Sequence, residues 1–189
     1  MFFLLFVSIV ILQRIIEVMV AKRNEKKMLS AGAYEVGGSH YPFMIALHVS
    51  FFISLIGEVI LFERTISPWF LLLFIVFLLV QALRIWCLIS LGPFWNTKII
   101  ILPSAKVVKK GPYLFVRHPN YLVVCTEILL LPLMFQAYFT AVCFTILNFI
   151  MLSIRIPTEE KALIEATNYS KTFNRKVSSS VPNDSSNEC

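Results

Sequence analysis

YLVVCTEILLLPLMFQAYFTAVCFTILNFIMLSI, Tyr121 to Ile154, is an apolar run of 34 residues. As a single helix it would reach roughly 50 Å at 1.5 Å per residue, against ~30 Å of bilayer hydrocarbon, so it has to fold back on itself. The reversal is expected at Phe135 to Tyr138, where Pro132 and Gln136 mark the weakest stretch. Two antiparallel helices with an uncharged turn result. Polar clusters bracket the run: Arg117-His118-Pro119-Asn120-Tyr121 opens it, and Arg155-Ile156-Pro157-Thr158-Glu159-Glu160 closes it. Neighbouring antiparallel helices sit ~8 to 10 Å apart, so the hairpin brings the two clusters together.

Outward from the hairpin lie three more apolar segments, Met1 to Val20, Tyr41 to Phe62 and Trp69 to Leu91. The first is read as a retained span, because it lacks a basic start and a cleavage site and carries Gln13, Arg14 and Glu17. A glycine-containing loop, 28–40, and a tight turn, Glu63 to Pro68, separate the first three segments. With 58% hydrophobic and 15% charged residues among 189, the chain departs from soluble composition and has no room for a separate soluble catalytic domain.

Seventeen Lys and Arg against eleven Asp and Glu give a charge of +6. The cations concentrate at Lys22, Arg23, Lys26 and Lys27, and again at Lys98, Lys106, Lys109, Lys110 and Arg117. Positive residues flanking spans face the cytoplasm, which puts the N-terminus outside and both polar clusters and the C-terminus inside. The basic balance therefore points to anionic headgroups rather than nucleic acid. Cys87, Cys125, Cys143 and Cys189 show no CxxC spacing and no His cluster, so neither a disulfide frame nor a metal site is expected.

The expected architecture is an all-α integral membrane protein of about five transmembrane helices, with a hairpin of spans four and five and a C-terminal interfacial helix. That last helix would run from Arg155 to Val177 with Leu163, Ala166 and Tyr169 on one face. Three regions follow: residues 1–91 with three spans, 92–177 with the polar clusters and two spans, and a Ser- and Asn-rich tail, 178–189, expected to be disordered.

Each polar group has a plain structural reading beside a chemical one. Pro119 suits the first turn of a helix, and the cluster around it also reads as an interfacial anchor with a belt tyrosine. Glu159 and Glu160 also read as negative charges in a first helical turn capped by Thr158. Arg14 with Glu17, and Arg84 with Glu58, read as structural pairs or as lining of a substrate entrance. His48 reads as an interhelical hydrogen bond rather than a metal ligand. Glu127 either faces the pocket or pairs with Arg84.

R-H-P-x-Y, then about 35 apolar residues, then R-x-x-x-E-E resembles the isoprenylcysteine carboxyl methyltransferase family, integral membrane enzymes that use S-adenosylmethionine. The resemblance spans roughly Leu91 to Phe173, and the related phospholipid N-methyltransferases share much of the pattern. It implies that His118, Pro119, Tyr121 and Glu159 line the cofactor pocket. Asn120, Glu160 and, from the loop Thr97 to Ile100, Lys98 join them as candidate cofactor contacts. Arg155 matches an arginine that orients the acceptor, and Arg117 or Arg155 would hold a carboxylate through a bidentate pair. Val123 stands where the family often has Gly. The Gly92 to Lys98 stretch is similar to bacterial members, some of which methylate long-chain alkylpyrones.

The chain contains no G-x-G-x-x-G, so a nucleotide cofactor would have to be gripped by side chains at a helix mouth. The expected function is methyl transfer from S-adenosylmethionine to a lipophilic acceptor, an isoprenylcysteine-like carboxylate or the hydroxyl or enolate of an alkylpyrone. The other partners would be membrane lipids. Competing readings are a phospholipid N-methyltransferase and a membrane transporter or scaffold. A transporter would carry polar residues through the full membrane depth, whereas here they gather at one interface.

Overall fold

The computed structural model describes residues 1–172. Five long apolar helices make the protein: α1, Phe2–Ser30; α2, Tyr41–Leu61; α3, Phe70–Leu91; α4, Pro119–Met134; and α5, Tyr138–Ala166. Four are long and apolar enough to cross a membrane, and α4 is the shorter fifth. Two three-residue strands, β1 (Tyr34–Val36) and β2 (Ile99–Ile101), pair antiparallel with Glu35 opposite Ile100. A short helix, α6, covers Tyr169–Thr172.

The reversal falls where the apolar run predicts it. α4 stops at Met134, and Gln136 takes the left-handed conformation (φ 55) while Ala137 N–H bonds the Pro132 carbonyl and Gln136 N–H bonds that of Leu133. This crossed pair is the Schellman arrangement, which satisfies the last carbonyls of a helix without continuing it. Glu63 (φ 48) closes α2 the same way, with Arg64 N–H on Val59 and its own N–H on Ile60. The two outer turns are stitched together by Gln136 Nε2 donating to Thr65 Oγ1 (3.0 Å) and the Ile66 carbonyl (3.2 Å).

Glu58 takes a role other than the expected pairing with Arg84. Its carboxylate accepts the Phe139 and Thr140 amides at 3.2 and 2.7 Å, capping α5 from a neighbouring helix. Those amides have no partner within their own helix, and the positive end of the helix dipole favours an anion there. An apolar core fills this hairpin end of the bundle, with Leu55, Met134 and Phe135 almost fully buried.

Arg84 turns instead to Glu127, its Nε 3.0 Å from Oε1 and its Nη2 on Oε2, and to Glu17 at 3.1 Å. Arg14 joins Glu127 at 2.8 Å, and Gln81 reaches Glu127 at 2.6 Å. Two arginines and two glutamates from α1, α3 and α4 thus neutralise one another among apolar helices. Removal from water is tolerable only with such pairing. Of the two expectations for Glu127, pairing with Arg84 is the one observed.

At the opposite, basic end the architecture departs from its expected outline. Arg155 does not open a separate interfacial helix, because α5 continues through Pro157 to Ala166. Proline leaves the Ser153 carbonyl without its helical donor. Packing beyond the gap holds the helix on course: Ala162, Leu163 and Ala166 lie against Ile99 and Ile101 of the ribbon. Thr158 is accordingly not a cap; its hydroxyl bonds back to the Ile154 carbonyl at 2.8 Å. Leu163 and Ala166 share a face as expected, though the ribbon covers it, and Tyr169 does not join them because α5 ends at Ala166 and Tyr169 opens α6. The end of the expected helix, 173–177, and the tail 178–189 lie outside the described residues.

Candidate active site

α4 begins at Pro119, whose missing N–H costs nothing in a first turn. His118, the residue before it, projects over α5, and its ring stacks on Tyr121 with centroids 5.4 Å apart. Tyr121 lies under the α5 segment that carries Arg155 and Glu159. Its hydroxyl donates to Glu159 Oε2 and accepts from Arg155 Nε at 2.9 Å. Arg155 is fixed further by Nη2 on the Thr97 carbonyl and by Nη1 against the Met44 sulfur at 3.2 Å. Four elements therefore meet on one guanidinium: α2, the loop before β2, α4 and α5.

The two glutamates divide. Glu159 faces an interior chamber, with Oε2 on Tyr121 and 3.9 Å from His118 Nδ1. Glu160 turns into the protein, where Oε1 meets His118 Nε2 at 3.3 Å, the Tyr169 hydroxyl at 3.3 Å and Arg117 Nη1 at 3.7 Å. Burial and the Glu160 charge push the Tyr169 phenol up to about 12. Lys98 lies on the chamber rim, and Glu35 and Glu25, each 2.9 Å away, hold its ammonium charged to well above the usual lysine range.

The chamber has a volume of about 660 Å³, within the range of small-molecule sites. Of the residues singled out by sequence, Lys98, Arg117, His118, Asn120, Tyr121, Arg155 and Glu159 line it, whereas Pro119 and Glu160 stand behind the wall. Asn120 Oδ1 is buried and has no partner among the described residues. Beyond this polar mouth the chamber runs between α1 and α2 past Ile15, Val18, Ile45 and Val49, which line it and are also exposed on the outer surface. Arg14, Glu17 and Arg84 contribute to its floor.

Sequence reasoning missed the α2 wall. Tyr41, Met44, His48 and Phe52 all line the chamber, and they follow one another at helical spacing, a stripe that periodicity exposes once α2 is known to face a site. Tyr41 bonds Thr97 Oγ1 at 3.2 Å. His48 does not make the expected interhelical bond: its Nδ1 lies 2.8 Å from the carbonyl of Met44 in the same helix. Among the described residues no group of three or more His, Cys, Asp or Glu is placed to hold a metal ion.

A bundle of apolar helices with a polar-mouthed chamber at one end is the architecture of an integral membrane protein. The isoprenylcysteine carboxyl methyltransferase (ICMT) family model matches residues 69–165, which span α3, the ribbon strand β2 and the α4/α5 hairpin, and the chain belongs to that family. It is a membrane methyltransferase. The protein is 52% identical over 163 residues to uncharacterized protein YpbQ of Bacillus subtilis, covering 86% of this chain and 97% of that one. It is 27% identical over 142 residues to an uncharacterized protein of Haemophilus influenzae, covering 75% and 83%. No solved structure matches the chain.

Proposed function

We propose that this protein transfers a methyl group from S-adenosylmethionine to an oxygen of a lipophilic acceptor, with its basic end in the cytoplasm. The observation that carries the reading is the continuity of one chamber. A mouth of Tyr121, Arg155, Glu159 and His118 opens into an apolar slot that reaches the lipid-facing surface between α1 and α2. A water-soluble, charged cofactor and a greasy acceptor can enter from different phases and meet inside.

The residues at the mouth fit the cofactor. Glu159 has one oxygen engaged by Tyr121, leaving Oε1 for ribose hydroxyls or an ammonium group. The unsatisfied Asn120 Oδ1 costs about 1 to 3 kcal/mol while unpaired, a cost that a ligand donor reaching it would remove. Bound there, S-adenosylmethionine supplies a methyl group on a positively charged sulfur.

The chain's own residues do the rest by position. Tyr121 and Thr97 hold Arg155 rigidly, so its guanidinium can face an acceptor oxygen without reorganising. Alignment of reacting groups in a pocket of this kind is worth about 7 to 11 kcal/mol where geometry is near ideal. The apolar slot excludes water and strengthens the interactions at the mouth.

Calorimetric titration of detergent-purified protein with S-adenosylmethionine tests the reading. Saturable binding is expected, with loss in His118→Ala and Glu159→Ala. Folded protein that takes up no cofactor at millimolar concentration would overturn it. Labelling of single cysteines placed at residues 26 and 136 tests the orientation, which predicts cytoplasmic access only at the former.

A further inference from the structure

We propose that His48 is a catalytic residue of this chamber, the group that takes the proton from a hydroxyl acceptor as its oxygen is methylated. The inference rests on the methyltransferase reading and narrows it.

The tautomer follows from one hydrogen bond. His48 Nδ1 lies 2.8 Å from the Met44 carbonyl, and a carbonyl only accepts, so Nδ1 carries the hydrogen. In the neutral ring Nε2 is then a bare lone pair. No described residue bonds to Nε2, and the half-buried ring lines the chamber. Met44, one turn from His48 toward the mouth, touches the Arg155 guanidinium at 3.2 Å. Hence His48 lies about 6 Å deeper along the same helical face, on the route from the apolar slot to the polar mouth.

The surroundings select the kind of acceptor. A carboxylate is already ionised and would set its lone pairs against that of Nε2. An ammonium would need a free anion at this depth, yet Glu17, the carboxylate of the chamber floor, is spent on Arg14 and Arg84. The charged groups that act on His48, Arg14 on α1, Arg84 on α3 and Glu127 on α4, belong to this neutralised set. A hydroxyl or enol is the group that both donates to Nε2 and becomes a nucleophile on losing its proton. In the balanced step the O–H bond breaks and its proton passes to Nε2. The oxygen forms a bond to the methyl carbon, the carbon–sulfur bond breaks, and its electron pair stays on sulfur as a neutral thioether. The imidazolium then returns its proton to water through the mouth.

Binding of three probes to the protein in lipid nanodiscs tests this: 4-dodecylphenol, its methyl ether and 4-dodecylbenzoate. The phenol is expected to bind about tenfold more tightly than the ether, the worth of one buried hydrogen bond, and more tightly than the benzoate. His48→Phe should erase the difference, while His48→Gln, which keeps an acceptor, should retain part of it. In ¹⁵N-histidine spectra the His48 Nε2 resonance should move with the phenol and stay still with the ether. Equal binding of phenol and ether, no binding of either, preference for the benzoate, or discrimination that survives His48→Phe would each overturn the proposal. Cofactor binding measured on the same samples separates the two readings. Its absence in wild type sinks the methyltransferase reading whatever His48 does, and its retention in His48→Phe shows that the variant is folded.

Discussion

The Arg155 guanidinium donates to the Tyr121 hydroxyl across 2.9 Å, and that hydroxyl passes its own hydrogen to Glu159. A cation on α5 and an anion one turn later are thereby held apart by a phenol from α4 instead of collapsing onto each other. Both charges keep hydrogen-bonding capacity toward the chamber.

Tyr121→Phe removes the spacer and strands two partly buried groups, a loss of about 1 to 3 kcal/mol when a partner of a charged group is deleted. Cofactor affinity should fall roughly tenfold or more by calorimetry. Binding equal to wild type would mean that the phenol only fills space.

Glu159 and Glu160 should separate by assay. Glu159→Gln is expected to weaken cofactor binding by about tenfold with little change in melting temperature, since it alters a chamber wall. Glu160→Gln should do the reverse, lowering thermal stability by about 1 to 3 kcal/mol, because it disturbs the centre shared by His118, Arg117 and Tyr169. Matching effects of the two substitutions on both measurements would contradict the division.

Glu127→Ala leaves Arg84 and Arg14 facing each other with one carboxylate between them. Breaking a buried ion pair from one side costs about 3 to 5 kcal/mol, so this variant should unfold at markedly lower temperature in detergent. Glu127→Gln, which keeps two acceptor lone pairs but not the charge, should fall between it and wild type. A melting curve unchanged in Glu127→Ala would show that water reaches the cluster.

Gln136 occupies a left-handed position that costs a residue with a Cβ about 1 to 2 kcal/mol, more for a branched one. Gln136→Gly relieves that strain and loses the bonds to Thr65 and Ile66, so it should change stability by less than about 1 kcal/mol. Gln136→Val should destabilise by about 2 kcal/mol. Chemical denaturation of the two variants side by side checks the ordering.

Tyr169 adds a pH dependence whose sign is fixed. Its phenol is held neutral in the folded protein up to about 12, while the unfolded chain ionises near 10. Between those values the folded state binds the extra proton, so stability falls as pH rises. Melts from pH 8 to 11.5 should show a decline above pH 10 that flattens in Tyr169→Phe.

Hydropathy and charge made the broad plan of this protein legible. The length of Tyr121–Ile154 against the thickness of hydrocarbon demands a hairpin, and a hairpin demands that Arg117–Tyr121 and Arg155–Glu160 meet. Those are properties of segments some twenty residues long, and they hold whichever way each helix is turned about its axis. Everything that depended on that turn waited for the tertiary structure. Rotation of α5 sends Glu159 into the chamber and Glu160 behind it, and rotation of α2 brings Met44 to Arg155 and His48 into the chamber wall. Glu25 and Glu35, distant in sequence, take up Lys98, and Glu127 rather than Glu58 neutralises Arg84. The Ile99–Ile101 strand, three β-branched residues, found its partner 65 residues upstream only because α1 and α3 end at the same face. The sequence by itself determined which segments lie in the membrane and which polar clusters converge. Helix rotation and long-range pairing, set by packing that no local pattern encodes, decided which of those side chains face the chamber and which hold it up.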